Sequence, residues 1–258
     1  MIAALPTLIV AEARLFRREP MTVGFGVLFP TVILLVLGAI PALREPSPDL
    51  GNVRFIELWA PTSLVLGAGI VGLQHIPAVV SRYREDGVLR RMSTTPVHPA
   101  AVLVAQLVVA VVALVVSAGL VILTAWLVLD VPLPQDPVPF AVAFVVGFGA
   151  VLAVGMLIAA VAPDTRVANG LSMIAYLAAM FAGGLFVPRF LLPESLVRLG
   201  EYIPPGVQAL TDAWSDQAGL SVALGIEAAG PPQASQLAIM ALIAVLAGGA
   251  AARLFRWE

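Results

Sequence analysis

The sequence predicts an all-α integral membrane protein: six transmembrane helices, an interfacial helix before the first, a short cytoplasmic helix between the second and third, and extracellular re-entrant helices before the last. Three observations lead there. The chain has 258 residues, 60% of them apolar and 12% charged, with a mean hydropathy of +1.00, whereas charged residues make up about a quarter of a soluble domain. Six apolar runs, at about 21–43, 55–80, 100–129, 140–162, 167–187 and 235–252, are separated by polar breaks, and about 20 apolar residues in a helix cross roughly 30 Å of hydrocarbon. The arginines cluster in alternate breaks. Nothing resembling a soluble domain interrupts the pattern, so residues 1–258 are expected to form a single transmembrane domain.

The break between the second and third runs sets the orientation. Ser81 to Pro99 reads SRYREDGVLRRMSTTPVHP. Its Arg82, Arg84, Arg90 and Arg91, with Glu85 and Asp86, keep it out of hydrocarbon, and its arginine content puts it on the cytoplasmic side by the positive-inside rule. Tyr83 to Met92 has room for about two helical turns, ended by the Thr94-Thr95-Pro96 and His98-Pro99 steps, because residues before proline avoid the helical region. Counted outward from this break, Arg14, Arg17, Arg18, Arg82, Arg84, Arg90, Arg91, Arg166, Arg253 and Arg256 lie inside, ten of the fourteen basic residues. Arg44, Arg54, Arg189 and Arg198 lie outside. Both termini are then cytoplasmic.

Taken in order, Leu5 to Glu19 places Arg14, Arg17 and Arg18 on one helical face and Leu8, Ile9, Leu15 and Phe16 on another, which suits a helix lying in the membrane interface. The plainer alternative is a solvated basic lead-in. Met1 to Val10 lacks the basic start of a cleavable signal peptide. The first span carries Pro30, expected to kink it, and 44–54, with Pro46, Pro48 and Gly51, is an irregular outside loop. The second span enters beside Glu57 and has Gln74, His75 and Pro77 near its cytoplasmic end. After the third span, 130–139 turns outside on four prolines, and Pro163 to Arg166 is a tight inside turn. The segment 188–234 is too polar to span, yet its apolar pieces suit interfacial or re-entrant helices, with 211–232 as an outside loop.

Little in this chain could be catalytic. Without cysteine it has no disulfide or thiolate metal site, its two histidines, His75 and His98, lie at different depths, and it has no HExxH or GxSxG motif. A phosphate-binding GxxxxGK[ST] loop is excluded because lysine is absent. The span centres also lack Asp, Glu and Arg, the groups that ion-coupled transport needs and whose burial costs about 2.5–3.5 kcal/mol each. Gln74, His75, Gln106, Asn169 and Ser172 are the notable polar residues near the spans, and interhelical hydrogen bonds account for them more simply than substrate contacts do. Gly67, Gly69, Gly72, Gly147, Gly149, Gly155, Gly183 and Gly184 suit close helix packing, with flexibility for gating as the alternative.

This order of parts resembles the ABC-2 type permeases, the membrane subunits of ATP-binding-cassette exporters, and most closely the actinobacterial drug and antibiotic efflux kind. Two stretches carry the resemblance. YREDGVLRRMSTTPVHPAAVLVAQ is similar to the family's basic residue, glycine, basic pair and proline ahead of the third span, through Gly87, Arg90, Arg91 and Pro96. GGLFVPRFLLPESLVRLGEYIPPGVQAL is similar to its G-x-x-x-P, L-P and I-P-P pattern, through Gly184, Pro188, Leu192, Pro193, Ile203, Pro204 and Pro205. Residues 211–232 match nothing in that pattern.

The resemblance implies that the Tyr83 to Met92 helix is a coupling helix seated on a separate ATPase subunit, with Tyr83, Arg84, Gly87, Arg90 and Arg91 as the contact residues. A plain solvated loop with orienting charges is the alternative. ATP and magnesium would then belong to the partner, this chain carrying no cofactor. A second permease subunit, identical or homologous, and membrane lipid would be its other partners, with no nucleic acid. Pro188, Pro193, Pro204 and Pro205 mark the re-entrant segment. Spans so poor in charge suit a lipophilic drug, natural product or lipid as cargo, with Met180, Phe181 and Phe186 on its path and Phe25, Phe29 and Gln74 as weaker candidates. A secondary transporter or channel would need mid-membrane ion ligands, and a membrane-embedded enzyme a polar catalytic set. The cysteine-free chain allows a direct test of topology: Ser93→Cys in intact cells should react only with membrane-permeant thiol reagents and Ser215→Cys with impermeant ones. Impermeant labelling at residue 93 would overturn the six-span arrangement.

Overall fold

Residues 5–50, 52–92, 100–186, 192–214 and 234–255 are described by a computed structural model. Ten helices dominate these segments: α1 (Leu5–Arg17), α2 (Thr22–Gly38), α3 (Phe55–Glu85), α4 (Val88–Met92), α5 (Ala100–Leu129), α6 (Pro137–Val161), α7 (Thr165–Ala182), α8 (Glu194–Gly200), α9 (Val207–Trp214) and α10 (Ala234–Leu254). The stretch after α2, expected to be irregular, holds a single helical turn, Pro41–Arg44, and a two-stranded antiparallel ribbon of β1 (Pro46–Ser47) and β2 (Val53–Arg54), with Pro46 opposite Arg54.

Four of these helices, α3, α5, α6 and α10, are long and apolar enough to cross a membrane, with 31, 30, 25 and 21 residues. Helices α1 and α2 would make a fifth span as a pair, but they meet at 94°, so α1 lies across the axis of α2 as an interfacial helix would. The remaining expected run coincides with α7, which has 18 residues and carries Arg166 and Asn169 in its first turns. Its expected end, Val187, lies outside the described residues, as do Ser93 to Pro99 and Arg256.

The core forms around α3. Its most apolar window is 83% buried, against 39% for α5, 50% for α6 and 17% for α10. Helix α2 packs between α3 and α5, α7 lies against the middle of α3, α10 runs along α6, and α1 crosses the start of α5. Glycine makes the closest approaches possible. A Cβ on Gly155 of α6 would sit 2.0 Å from the carbonyl oxygen of Gly72 in α3, so the two backbones touch there. One on Gly147 would sit 2.0 Å from the carbonyl of Pro205. In these places the glycines act as packing residues, as small residues do between membrane helices.

The expected kink at Pro30 takes another form. Thr22–Leu28 is wound as a π-helix, and the α-helical part, Phe29–Gly38, begins with Pro30 in its first turn. The same arrangement recurs in α3, where the π-helix Gly69–His75 precedes Ile76-Pro77. Proline has no N–H and its ring clashes with the carbonyl four residues earlier. Winding with bonds to the fifth residue displaces that carbonyl, and each helix continues through its proline.

Two boundaries differ from expectation. Helix α3 runs to Glu85, beyond the expected end at 80, because its polar last turn is still hydrogen-bonded backbone. Residues 211–214, expected in an outside loop, form the last turn of α9. Val207, Leu210, Thr211 and Trp214 are buried there, at spacings that share one helical face. The rest of that expected loop, 215–232, lies outside the described residues. Gly155→Ala is expected to destabilise the protein by about 1–3 kcal/mol through overpacking, seen as a lowered thermal midpoint in detergent. Gly149→Ala, where nothing lies within 4 Å of the added carbon and alanine is the better helix former, should leave the midpoint level or raise it.

Candidate coupling site

The Arg-rich connector between α3 and α5 is built on the last turn of α3. Tyr83 and Arg84 belong to that turn, so the single helix expected over Tyr83 to Met92 is corrected to two pieces. The break is a glycine turn. The Asp86 N–H donates to the Arg82 carbonyl at 2.8 Å and the Gly87 N–H to the Arg84 carbonyl at 3.0 Å. Gly87 has φ +66°, which other residues adopt only with strain. Nothing lies within 4 Å of where its Cβ would be, so the turn, and not close approach, is what requires glycine. Helix α4 then begins, with the Arg91 N–H donating to the Gly87 carbonyl and its guanidinium to the Asp86 carbonyl, both at 2.9 Å. Leu89 is fully buried beneath it, while Arg90 and Arg91 are exposed.

Three consecutive side chains at the end of α3 reach three different neighbours. Tyr83 donates its hydroxyl to Glu12 of α1 at 2.9 Å, and Gln106 of α5 donates its amide to the same carboxylate oxygen. Arg84 donates to the carbonyls of Ala159 and Ala162 at 2.8 and 2.6 Å, closing the end of α6, and lies 5.3 Å over the ring of Phe255 just after α10. Glu85 accepts from the backbone N–H and the hydroxyl of Thr165, both at 2.7 Å, at the start of α7. Burial pushes the Glu12 carboxyl above its ordinary range, while the Tyr83 hydroxyl acts to lower it. A second polar knot lies further along α3: His75 Nδ1 is 3.2 Å from both the Glu19 carboxylate and the Thr22 hydroxyl, with the Phe16 ring edge-on at 5.1 Å.

The expected path residues fall into separate groups. Phe181 and Phe186 are in ring contact at 5.1 Å and half exposed. Met180 beside them is fully buried, packed where a Cβ on Gly69 would point, so it fills the fold and not an open path. Phe25 and Phe29 are in contact at 5.4 Å, the first exposed and the second packed on the core. Gln74 lies 4.0 Å from the sulfur of Met173. In the segment before α10, Pro193 precedes α8 and Pro204 and Pro205 follow it, joined by a cis peptide bond, while Pro188 lies outside the described residues. Helix α9 folds back over the loop between α5 and α6. The Trp214 indole N–H donates to the Pro132 carbonyl at 3.1 Å, and its ring meets Phe140 edge-on. Among the described residues, no three acidic or histidine side chains converge on a point that could hold a metal ion.

A family model described as ABC-2 type transporter matches residues 4–210. The chain belongs to the ABC-2 type transporter family. No curated relative and no solved structure matches it. As an ABC-2 type chain it is a multi-pass membrane protein of the transport-permease kind, and the match takes in α1 to α8 and the first half of α9.

In this ABC-2 type chain, several residues at the connector end escaped the sequence reading. Glu12 left one signal, as the single acid on the face that α1 shares with Leu8, Ile9 and Phe16. Thr165 and Glu85 left none, being 80 residues apart. Tyr83→Phe removes one of the two donors that Tyr83 and Gln106 supply to the buried Glu12 carboxylate and is expected to cost about 1–3 kcal/mol, read as a lowered thermal midpoint in detergent. Tyr176→Phe, on α7, is the control: no hydrogen bond to its hydroxyl is present among the described residues, and its midpoint should match the parent's.

Proposed function

We propose that this chain is the permease subunit of an exporter, driven by ATP hydrolysed on a separate ATPase subunit and paired with a second permease that is identical or homologous. The observation that carries the reading is the connector. Helix α4 presents Arg90 and Arg91 outward from a buried Leu89, immediately after a helix end bonded to α1, α6 and α7. A short, one-sided basic helix on such a base suits docking to an acidic groove, and its displacement would reach the bundle directly. Six spans with both termini cytoplasmic, and residues 194–214 on the outer side, complete the proposed topology.

The cargo is proposed from the surface that two such bundles would enclose. Phe25, Phe181 and Phe186 are exposed among Val, Leu and Ala, and a hydrophilic solute crossing such a surface would lose hydration at several kcal/mol per unsatisfied group. A lipophilic drug, natural product or lipid would not, and it could enter sideways from the inner leaflet. Reconstituted with its ATPase partner, the permease pair should hydrolyse ATP faster when lipophilic compounds are added and be indifferent to sugars and inorganic ions. Gly87→Trp and Arg90→Glu/Arg91→Glu should still insert but lose the stimulation. Stimulation by a charged, impermeant solute alone would overturn the cargo assignment, and unchanged transport by both variants would overturn the docking role of α4.

A further inference from the structure

We infer that Arg84 and Glu85 are positioning residues that lock the connector to the turn between α6 and α7, so that α4 and that turn move as one body during transport. The inference rests on the exporter reading above and adds to it the route by which movement at α4 reaches the far end of the bundle. The route begins at Gly87, the one left-handed residue between α3 and α4. Left alone, that turn would be a hinge. It is spanned by the Arg91 guanidinium, which donates to the Asp86 carbonyl on the near side, while the Arg91 N–H donates to Gly87 itself. Helix α4 is therefore tied through Arg91 to both residues of the turn that follows α3.

Glu85, two residues before Gly87, holds the first residue of α7 through both of its oxygens. The turn it grips is internally fixed, because the Asp164 side chain accepts from the Val167 N–H at 2.8 Å and its carbonyl accepts from the Ala168 N–H at 2.9 Å. A pull on Thr165 thus acts on α7 as a whole. Arg84 does the same for the other arm, holding the last carbonyls of α6 through both terminal nitrogens. The two residues grip the two sides of one turn, residues 162–164, from adjacent positions on α3. Helix α7 rises about 1.5 Å per residue, and at its far end it carries Phe181, in contact with Phe186. A displacement at α4 is in this way delivered to the exposed aromatic pair without passing through the buried middle of α3.

The test uses the full chain with its ATPase in proteoliposomes. Glu85→Ala and Thr165→Val should insert to the parental level, yet move less of a lipophilic fluorescent dye per ATP consumed, by on the order of fivefold or more, and Thr165→Ser, which keeps the hydroxyl, should restore the ratio. The chain has no cysteine, so Glu85→Cys/Thr165→Cys can be joined by a short bifunctional thiol reagent. The joined protein is expected to transport like the parent, while each single cysteine variant does not. A fold that was merely weakened would lower the amount inserted, not the ratio. Parental ratios for Glu85→Ala and Thr165→Val, or loss of transport on joining the two cysteines, would overturn the lock alone. A parent pair that shows no ATP-driven transport would overturn the exporter reading and the lock with it.

Discussion

The last four carbonyls of every helix lack an intrahelical partner, and near a bilayer there is little water to replace it. In this chain arginines beside or within α3 serve as that partner at opposite ends of the bundle. Arg54, directly before α3, donates to the carbonyls of Leu129 and Asp130, at the end of α5, and pairs with Glu57. Arg84, in the last turn of α3, donates to the closing carbonyls of α6. Each guanidinium serves two acceptors at once through separate nitrogens of a rigid planar fork, a spacing that the single nitrogen of lysine does not offer. The positive charge also sits at the negative end of a helix dipole. The most buried helix therefore fastens its neighbours by their ends as well as by its sides.

Side-to-side packing supplies the other constraint. The Gly72 and Gly155 contact brings two backbones together with no side chain between them, and towards the connector end the buried Glu12, Gln106 and His75 are hydrogen-bonded. With α3 fixed at its ends and closely packed along its length, movement of the bundle would run through its outer helices. Helix α7 is held at its start by an exposed carboxylate and buries Ala168, Ser172, Ala179 and Met180 among its 18 residues, so, like α10, it is only lightly committed to the core.

Much of this was legible in the sequence. The apolar runs placed α2, α3, α5, α6 and α10 within a few residues, since a membrane helix must be apolar along most of its length whatever it packs against. The right-angled α1 was legible from the face that its arginines share. Helix ends were less so, because hydropathy records where the apolar side chains stop and not where backbone bonding stops, and α3 outlasts its apolar run by a turn. The last turn of α9, residues 211–214, reads as loop in a stretch that carries Asp212, Asp216 and Glu227, although Thr211 satisfies its hydroxyl on the Val207 carbonyl within its own helix. The contacts of Glu12, Glu19 and Glu85 could not be read, since each joins residues brought together only by the fold. Residue type and position along a span do not reveal exposure, and burial separates Met180 from Phe181 although they are adjacent.

The paired π segments have a consequence for how the two helices could vary. A π-turn holds one residue more than an α-turn for nearly the same advance along the axis, so α2 and α3 each carry a surplus residue in contact with the other's. A related chain one residue shorter within 69–75 could cross the same thickness with ordinary winding and keep both halves of α3 in phase, whereas the present residues wound as plain α-helix would turn one side of the segment by about 100° relative to the other. His75 would then leave Glu19, or Gly72 would leave Gly155. The wide turn absorbs the extra residue, so the polar half of α3 and its glycine half can each face the right neighbour along one continuous helix.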